Sequence, residues 1–211
     1  MSLQKKKTGL VLEGGAMRGM CSPETQKEVF MERKQPATAL QWLKIYRLYQ
    51  SSFPRSEKKP FSMIRTMYKK GKSDVWYCEE SGRFVGMVIT INGPDKVLLD
   101  YLAVHRKCRG QGVGSELLRQ MRQQYTGKGV FLEIETVTES AVNYEERKRR
   151  KKFYLSNGMT ELGVLVELFG VEMELLGYDC RLTFEEYHAF YRDNYNAWAA
   201  EHVKPVKNAE E

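Results

Sequence analysis

Three features of the chain predict an α/β (α+β) fold on a mostly antiparallel sheet. Strand-like runs at Val75-Trp76-Tyr77-Cys78, Phe84 to Ile89 and Val97 to Val104 follow one another with turn residues between them, which reads as a three-stranded meander. A glycine-rich turn, Arg109-Gly110-Gln111-Gly112-Val113-Gly114, then opens into a stretch with Leu117, Leu118, Met121 and Tyr125 at helical spacing. Finally, the apolar segments 162–168 and 171–176 flank Phe169-Gly170 and read as a hairpin.

The remaining elements fall into order around these. Residues 1–21 stand apart: Lys5-Lys6-Lys7, then the strand-like Gly9-Leu10-Val11-Leu12, then Glu13-Gly14-Gly15-Ala16-Met17-Arg18-Gly19. They are expected to be an N-terminal remnant or an extra edge strand. A helix is predicted over residues 37–52 from the spacing of Leu40, Leu43, Leu48 and Tyr49, ended by Phe53-Pro54. A second runs over 60–68, with Phe61, Ile64 and Met67 on one face. Val130 to Glu135 is a strand, and Glu145 to Leu155 a highly charged helix closed by Asn157-Gly158. The tail from Phe184 to Trp198 carries an aromatic stripe at helical spacing, read as packing onto the domain. The expected division is 1–21, a main domain over 22–178, and a C-terminal helix within 179–211.

With 211 residues, 42% hydrophobic and 29% charged, the chain is a globular sequence with one core, not a disordered or collagen-like one. No apolar run approaches the roughly 20 residues that span a bilayer, and the start has no apolar leader segment, so a cytoplasmic protein without membrane partners is expected. Cys21, Cys78, Cys108 and Cys180 form no CxxC, and His105, His188 and His202 no HxxxH, so neither metal nor disulfide framework is indicated. The formal charge of +7 favours an anionic partner: a nucleotide-bearing cofactor, nucleic acid or an acidic surface.

A strand that ends in a glycine loop and runs into a helix aims unsatisfied N–H groups and the positive end of a helix dipole at one point, which suits a pyrophosphate. The meander ahead of it excludes a Rossmann opening, and the lack of GK[ST] excludes a Walker loop. On a second strand, alternation puts Glu133 and Glu135 on one face with Phe131, opposite Leu132 and Ile134. Paired carboxylates there either face a cleft or meet cations. Glu57 is a third candidate carboxylate.

Over residues 37–177 the chain resembles the GNAT acetyltransferases. Their [RQ]xxGx[GA] loop is matched by Arg109, Gly112 and Gly114, after a strand of type Leu102-Ala103-Val104; their FYxxxG[FM] helix end is matched by Phe153-Tyr154 and Gly158-Met159. The resemblance implies a parallel strand pair at a cofactor cleft, helices on both sheet faces, and acetyl-CoA held by Leu102, Ala103, Val104 and the turn Arg109, Gly110, Gln111, Gly112, Val113, Gly114 and Ser115. It implies direct transfer of acetyl to the amine of a small molecule or peptide in a ternary complex. Tyr154 falls on the family's proton-donor position for the departing thiolate, and Glu133 is read as general base with Glu135 attracting a cationic acceptor. Where many members carry an asparagine that bonds pantetheine, seven residues before the tyrosine, this chain has Arg147. The alternative is a non-catalytic acyl-CoA binding module. Nucleic acid is not the expected partner: the run Arg147-Lys148-Arg149-Arg150-Lys151-Lys152 reads as a solvated helix face. A homodimer is admissible.

A separate resemblance covers the first twenty residues. The strand and the Gly14-Gly15-Ala16-Met17-Arg18-Gly19 turn are similar to the opening of patatin-like lipid hydrolases, whose glycines supply an oxyanion hole. Those enzymes need a GxSxG serine, and none occurs in this chain.

Overall fold

Two helices begin on closed capping boxes that the sequence supplies. Thr38 accepts from the Gln41 amide while the Gln41 side chain accepts from the Thr38 amide, a closed capping box that starts α1 (Ala39–Ser52). Thr183 and Glu186 repeat the device at α5 (Phe184–Asn194). The computed structural model describes Leu10, Val11 and residues 31–206. Apart from Leu10 and Val11, the N-terminal segment 1–21 and its hydrolase-like turn lie outside the described residues, as does Cys21.

In chain order the other elements are β1 (Leu10–Val11), β2 (Met31–Lys34), α2 (Phe61–Lys69), β3 (Val75–Glu80), β4 (Arg83–Asn92), β5 (Lys96–Val104), α3 (Val113–Gln124), β6 (Gly129–Glu135), α4 (Tyr144–Ser156), β7 (Thr160–Leu168), β8 (Val171–Tyr178), α6 (Ala197–Glu201) and β9 (Val203–Pro205). One sheet runs β2-β3-β4-β5-β6-β8-β7-β9, with β1 added on β5. It is mostly antiparallel. The parallel pairs are β5 with β6 and β1 with β5.

The meander, the turn-to-helix unit and the hairpin stand where the sequence puts them. Short β2 and β9 carry no apolar alternation that would betray them: Met31-Glu32-Arg33-Lys34 buries only its methionine. On one sheet face α3 and α4 pack Val113, Leu117, Leu118, Met121 and Tyr154 against Val88, Leu102, Val104 and Leu132. On the other, α1 and α2 bury Ile45, Tyr49 and Ile64 on Met87, Ile89 and Tyr101. Alongside them α5 seats Tyr187, Phe190 and Tyr191 on Leu98 and Phe131. Each such apolar side chain contributes about 1.5–3 kcal/mol when fully buried.

The centre of the sheet is where it comes apart. Ile89 pairs with Tyr101 and Thr90 with Leu99, so Asp100 is the extra residue of a bulge on β5. β5 stays with β6 only from Lys96 to Leu98, while β6 continues beside β8 to Glu135. Beyond Leu98 the two strands diverge, and a cleft opens between them.

Candidate active site

One wall of the cleft is built on main chain. Past the bulge, the edge of β5 is no longer paired to β6, and Leu10 and Val11 run parallel to it opposite Leu102 and Ala103. The turn after β5 is fixed by Arg109, whose Nε donates to the Val104 carbonyl at 3.2 Å. Gly110 and Gly112 have φ of +71° and +79°, a region that costs an L side chain about 1–2 kcal/mol. Gly112 is the N-cap of α3 and brings no side-chain cap to the first helical N–H groups. Val113 and Gly114 are buried at the turn, Ser115 is half-buried, and Gly110, Gln111, Arg106 and Lys107 are exposed around it.

The opposite wall is made of side chains. Leu99, Asp100, Tyr101 and Leu102 line one side of the cleft; Leu132, Glu133, Tyr154, Met173 and Tyr191 line the other, with Glu57 and Lys59 at one end. Tyr154 is 3% exposed, and its hydroxyl makes no hydrogen bond among the described residues. Burial holds the phenol well above its usual range, against a pull downward from the Arg150 guanidinium one helical turn earlier. Glu133 Oε1 accepts from Tyr187 Oη and Tyr191 Oη, both at 2.7 Å. Burial, and then the Glu133 carboxylate, push both phenols far up, so they stay donors.

Glu133 and Tyr154 therefore meet in the cleft, and Glu135 does not line it. Glu135 is 2% exposed, with Arg147 Nη2 at 3.1 Å, Arg150 Nη1 at 3.6 Å and Asn143 Nδ2 at 3.0 Å. Two guanidiniums against one carboxylate leave no net negative field for drawing in a cation. Arg147 also donates to the Thr136 carbonyl and the Asn143 side chain, so it ties the start of α4 to the end of β6. The basic run is accordingly not a solvated face throughout. Arg147, Arg150 and Lys151 turn inward, Lys151 to Glu174 at 2.7 Å and Glu161 at 2.9 Å, while Lys148, Arg149 and Lys152 are exposed.

Several residues here escaped the sequence reading. Asp100 carried a signal: a lone carboxylate inside the buried run Val97 to Val104 needs a reason. Its Oδ1 holds Lys59 Nζ at 2.6 Å. Tyr187 and Tyr191, four apart in the aromatic stripe, pack as expected and also point two hydroxyls at one carboxylate. Nothing local in the sequence announces that.

Burial pushes the Cys180 thiol up to about 11 and the Cys78 thiol higher, so neither is a thiolate near neutral pH. No helix among the described residues is long and apolar enough to cross a membrane.

Residues 42–149 match the model of the Acetyltransferase (GNAT) family. The protein named "Putative acetyltransferase YjbC" in Bacillus subtilis (strain 168) is 29% identical over 97 residues, 46% of this chain and 48% of that protein, so the chain spans about half that relative's length. Among solved structures, a Bacteroides thetaiotaomicron protein described as from the GNAT family superposes with a TM-score of 0.66 at 15% identity, covering 81% of this chain and 98% of that one. An aminoglycoside 6'-N-acetyltransferase complexed with coenzyme A gives a TM-score of 0.58 at 13% identity, with 71% and 96% covered.

Proposed function

The chain belongs to the GNAT acetyltransferase family, and from that premise we propose that it moves the acetyl group of acetyl-CoA directly to the amine of a small molecule or peptide, both substrates being bound at once. The observation that carries this reading is the junction of the two walls: a splayed strand edge and an uncapped helix N-terminus on one side, Glu133 and the Tyr154 hydroxyl on the other. In this reading the pyrophosphate of acetyl-CoA sits at the Arg109–Ser115 turn, where helix N–H groups and the dipole favour an anion. Pantetheine bonds to the main chain of Leu102, Ala103 and Val104. It takes the place β1 holds on that edge, since one N–H carries a single proton and pantetheine and β1 would occupy the same strand position.

Transfer needs a neutral amine, a polarised thioester carbonyl and a stabilised thiolate. Main-chain N–H groups of the β5 edge polarise the carbonyl. Glu133, directly or through water, takes the ammonium proton. A thiol has a reference pKa of about 8.5 and a phenol about 10, and burial lifts Tyr154 further. Tyr154 therefore steadies the thiolate by donating a hydrogen bond, and the thiolate gains its proton from the attacking amine or solvent. Glu135, locked by arginines, positions α4 and hence Tyr154.

The test is thioester turnover over a panel of amines beside a coenzyme A binding isotherm. Glu133→Gln is expected to slow turnover by roughly 10- to 100-fold near neutral pH and less as alkali deprotonates the free amine, the signature of a lost base. A defect independent of pH removes Glu133 from proton transfer. Tight coenzyme A binding with no turnover of any amine would make the chain an acyl-CoA binding module instead.

A further inference from the structure

We propose that Lys59 is an acetyl acceptor in its own right, a modification site built into the wall of the cleft and reached when no other amine occupies it. This rests on the acetyl-transfer reading above and follows from where one lysine side chain lies. Lys59 lines the same cleft as Glu133, Leu102 and Tyr154. Its main chain is pinned from two sides, the N–H donating to Tyr101 Oη at 3.2 Å and the carbonyl accepting from Tyr49 Oη at 3.0 Å. Its side chain, 15% exposed, is aimed inward.

The surroundings of Nζ are those of a bound ammonium. Asp100 Oδ1 accepts from it at 2.6 Å and Tyr195 Oη at 2.5 Å, and it lies 4.1 Å from the Tyr195 ring centroid and 5.7 Å from that of Tyr101. The second Asp100 oxygen, Oδ2, is buried without a hydrogen-bond partner among the described residues, so a lone pair is available beside the amine. Asp100 is the bulge residue two positions before Leu102, about 7 Å along a strand at roughly 3.3 Å per residue. That is a span a re-aimed lysine stem of four methylenes can cover to a thioester lying on the Leu102 edge.

The step balances. The Lys59 ammonium gives one proton to the Asp100 carboxylate. The freed nitrogen lone pair forms a bond to the thioester carbonyl carbon, and the C–S bond breaks with its electron pair going to sulfur. The nitrogen gives up a second proton, which the thiolate takes to become free coenzyme A; the third proton stays on the amide. Asp100 returns its proton to solvent. Acetylation removes the charge on Lys59 and releases Asp100 from its ion pair, so the cleft gains a carboxylate for later cationic acceptors.

The experiment incubates the 211-residue chain with acetyl-CoA and no added amine, and follows each lysine by peptide mass spectrometry over time. Lys59 is expected to be acetylated at least about tenfold faster than the exposed Lys107, Lys148 and Lys152, because the cleft presents it to the thioester. Tyr154→Phe is expected to slow Lys59 and leave the exposed lysines unchanged. Lys59 unmodified, or modified no faster than the exposed lysines, in a preparation that acetylates added amines overturns this proposal alone. A chain that binds no coenzyme A, turns over no amine and leaves Lys59 unmodified overturns the acetyl-transfer reading with it.

Discussion

Across the cleft from one another, the β5–α3 wall offers main-chain groups and the β6–α4–α5 wall offers side chains. The first rests on main chain: a bulge at Asp100, a positive φ at Gly110 and Gly112, and a helix started without a side-chain cap, with the Arg109 side chain bracing the turn. The second needs particular side chains at particular places, drawn from residues as distant in sequence as Glu133, Tyr154 and Tyr191. Groups fixed by the backbone hold the constant part of a reaction, whereas groups supplied by side chains can be matched to one acceptor.

The comparison breaks hardest at the residue both walls share. On the proposed reading Tyr154 steadies the departing sulfur, so Tyr154→Phe is expected to lower kcat by roughly 10- to 1000-fold while acetyl-CoA affinity stays within about twofold. Steady-state kinetics beside calorimetric binding reads both. An unchanged kcat would assign stabilisation of the thiolate to solvent and leave Tyr154 as packing.

A smaller effect tests the main-chain wall by itself. A Cβ at Gly112 meets nothing within 4 Å, so Gly112→Ala does not clash; it strains a backbone at φ +79°. The cost of about 1–2 kcal/mol is expected as a drop of roughly five- to thirtyfold in coenzyme A affinity if the turn relaxes, with acceptor KM unaffected. Loss of acceptor binding instead would show that the two walls are not separable.

The smallest effect appears only in alkali. Burial raises the phenols of Tyr101, Tyr187 and Tyr191 well above their usual value in the folded chain. Below about pH 9 both folded and unfolded chains keep these protons, so stability is unaffected. Above about pH 10 the unfolded chain releases protons that the folded one retains, and stability falls as pH rises. Hydrogen exchange is expected to quicken in α5 before the first turn of α3, and simultaneous loosening would contradict the difference between the walls.

How much of this could be read from the sequence follows the same line. The strand, glycine turn and helix of one wall were legible because they are contiguous, within residues 97–125. The place of Tyr154 near the end of α4 was legible through its neighbours Phe153 and Gly158. Glu133 and Glu135 looked equivalent by alternation, and only three dimensions separate them, since Arg147 and Arg150 reach one and two tyrosine hydroxyls the other. Lys59 and Asp100 meet because a bulge turns one strand residue toward a loop 41 positions earlier, a register detail that no local pattern encodes.

The match to the family ends at residue 149, and α5 begins at Phe184. α5 grips Glu133, and Tyr195 at its C-terminal end sets its ring over Lys59, both beyond the stretch that the family model matches. On the reading proposed above, a change at Tyr187, Tyr191 or Tyr195 would reshape the acceptor end of the cleft and leave the strand, glycine turn and helix of the other wall as they are.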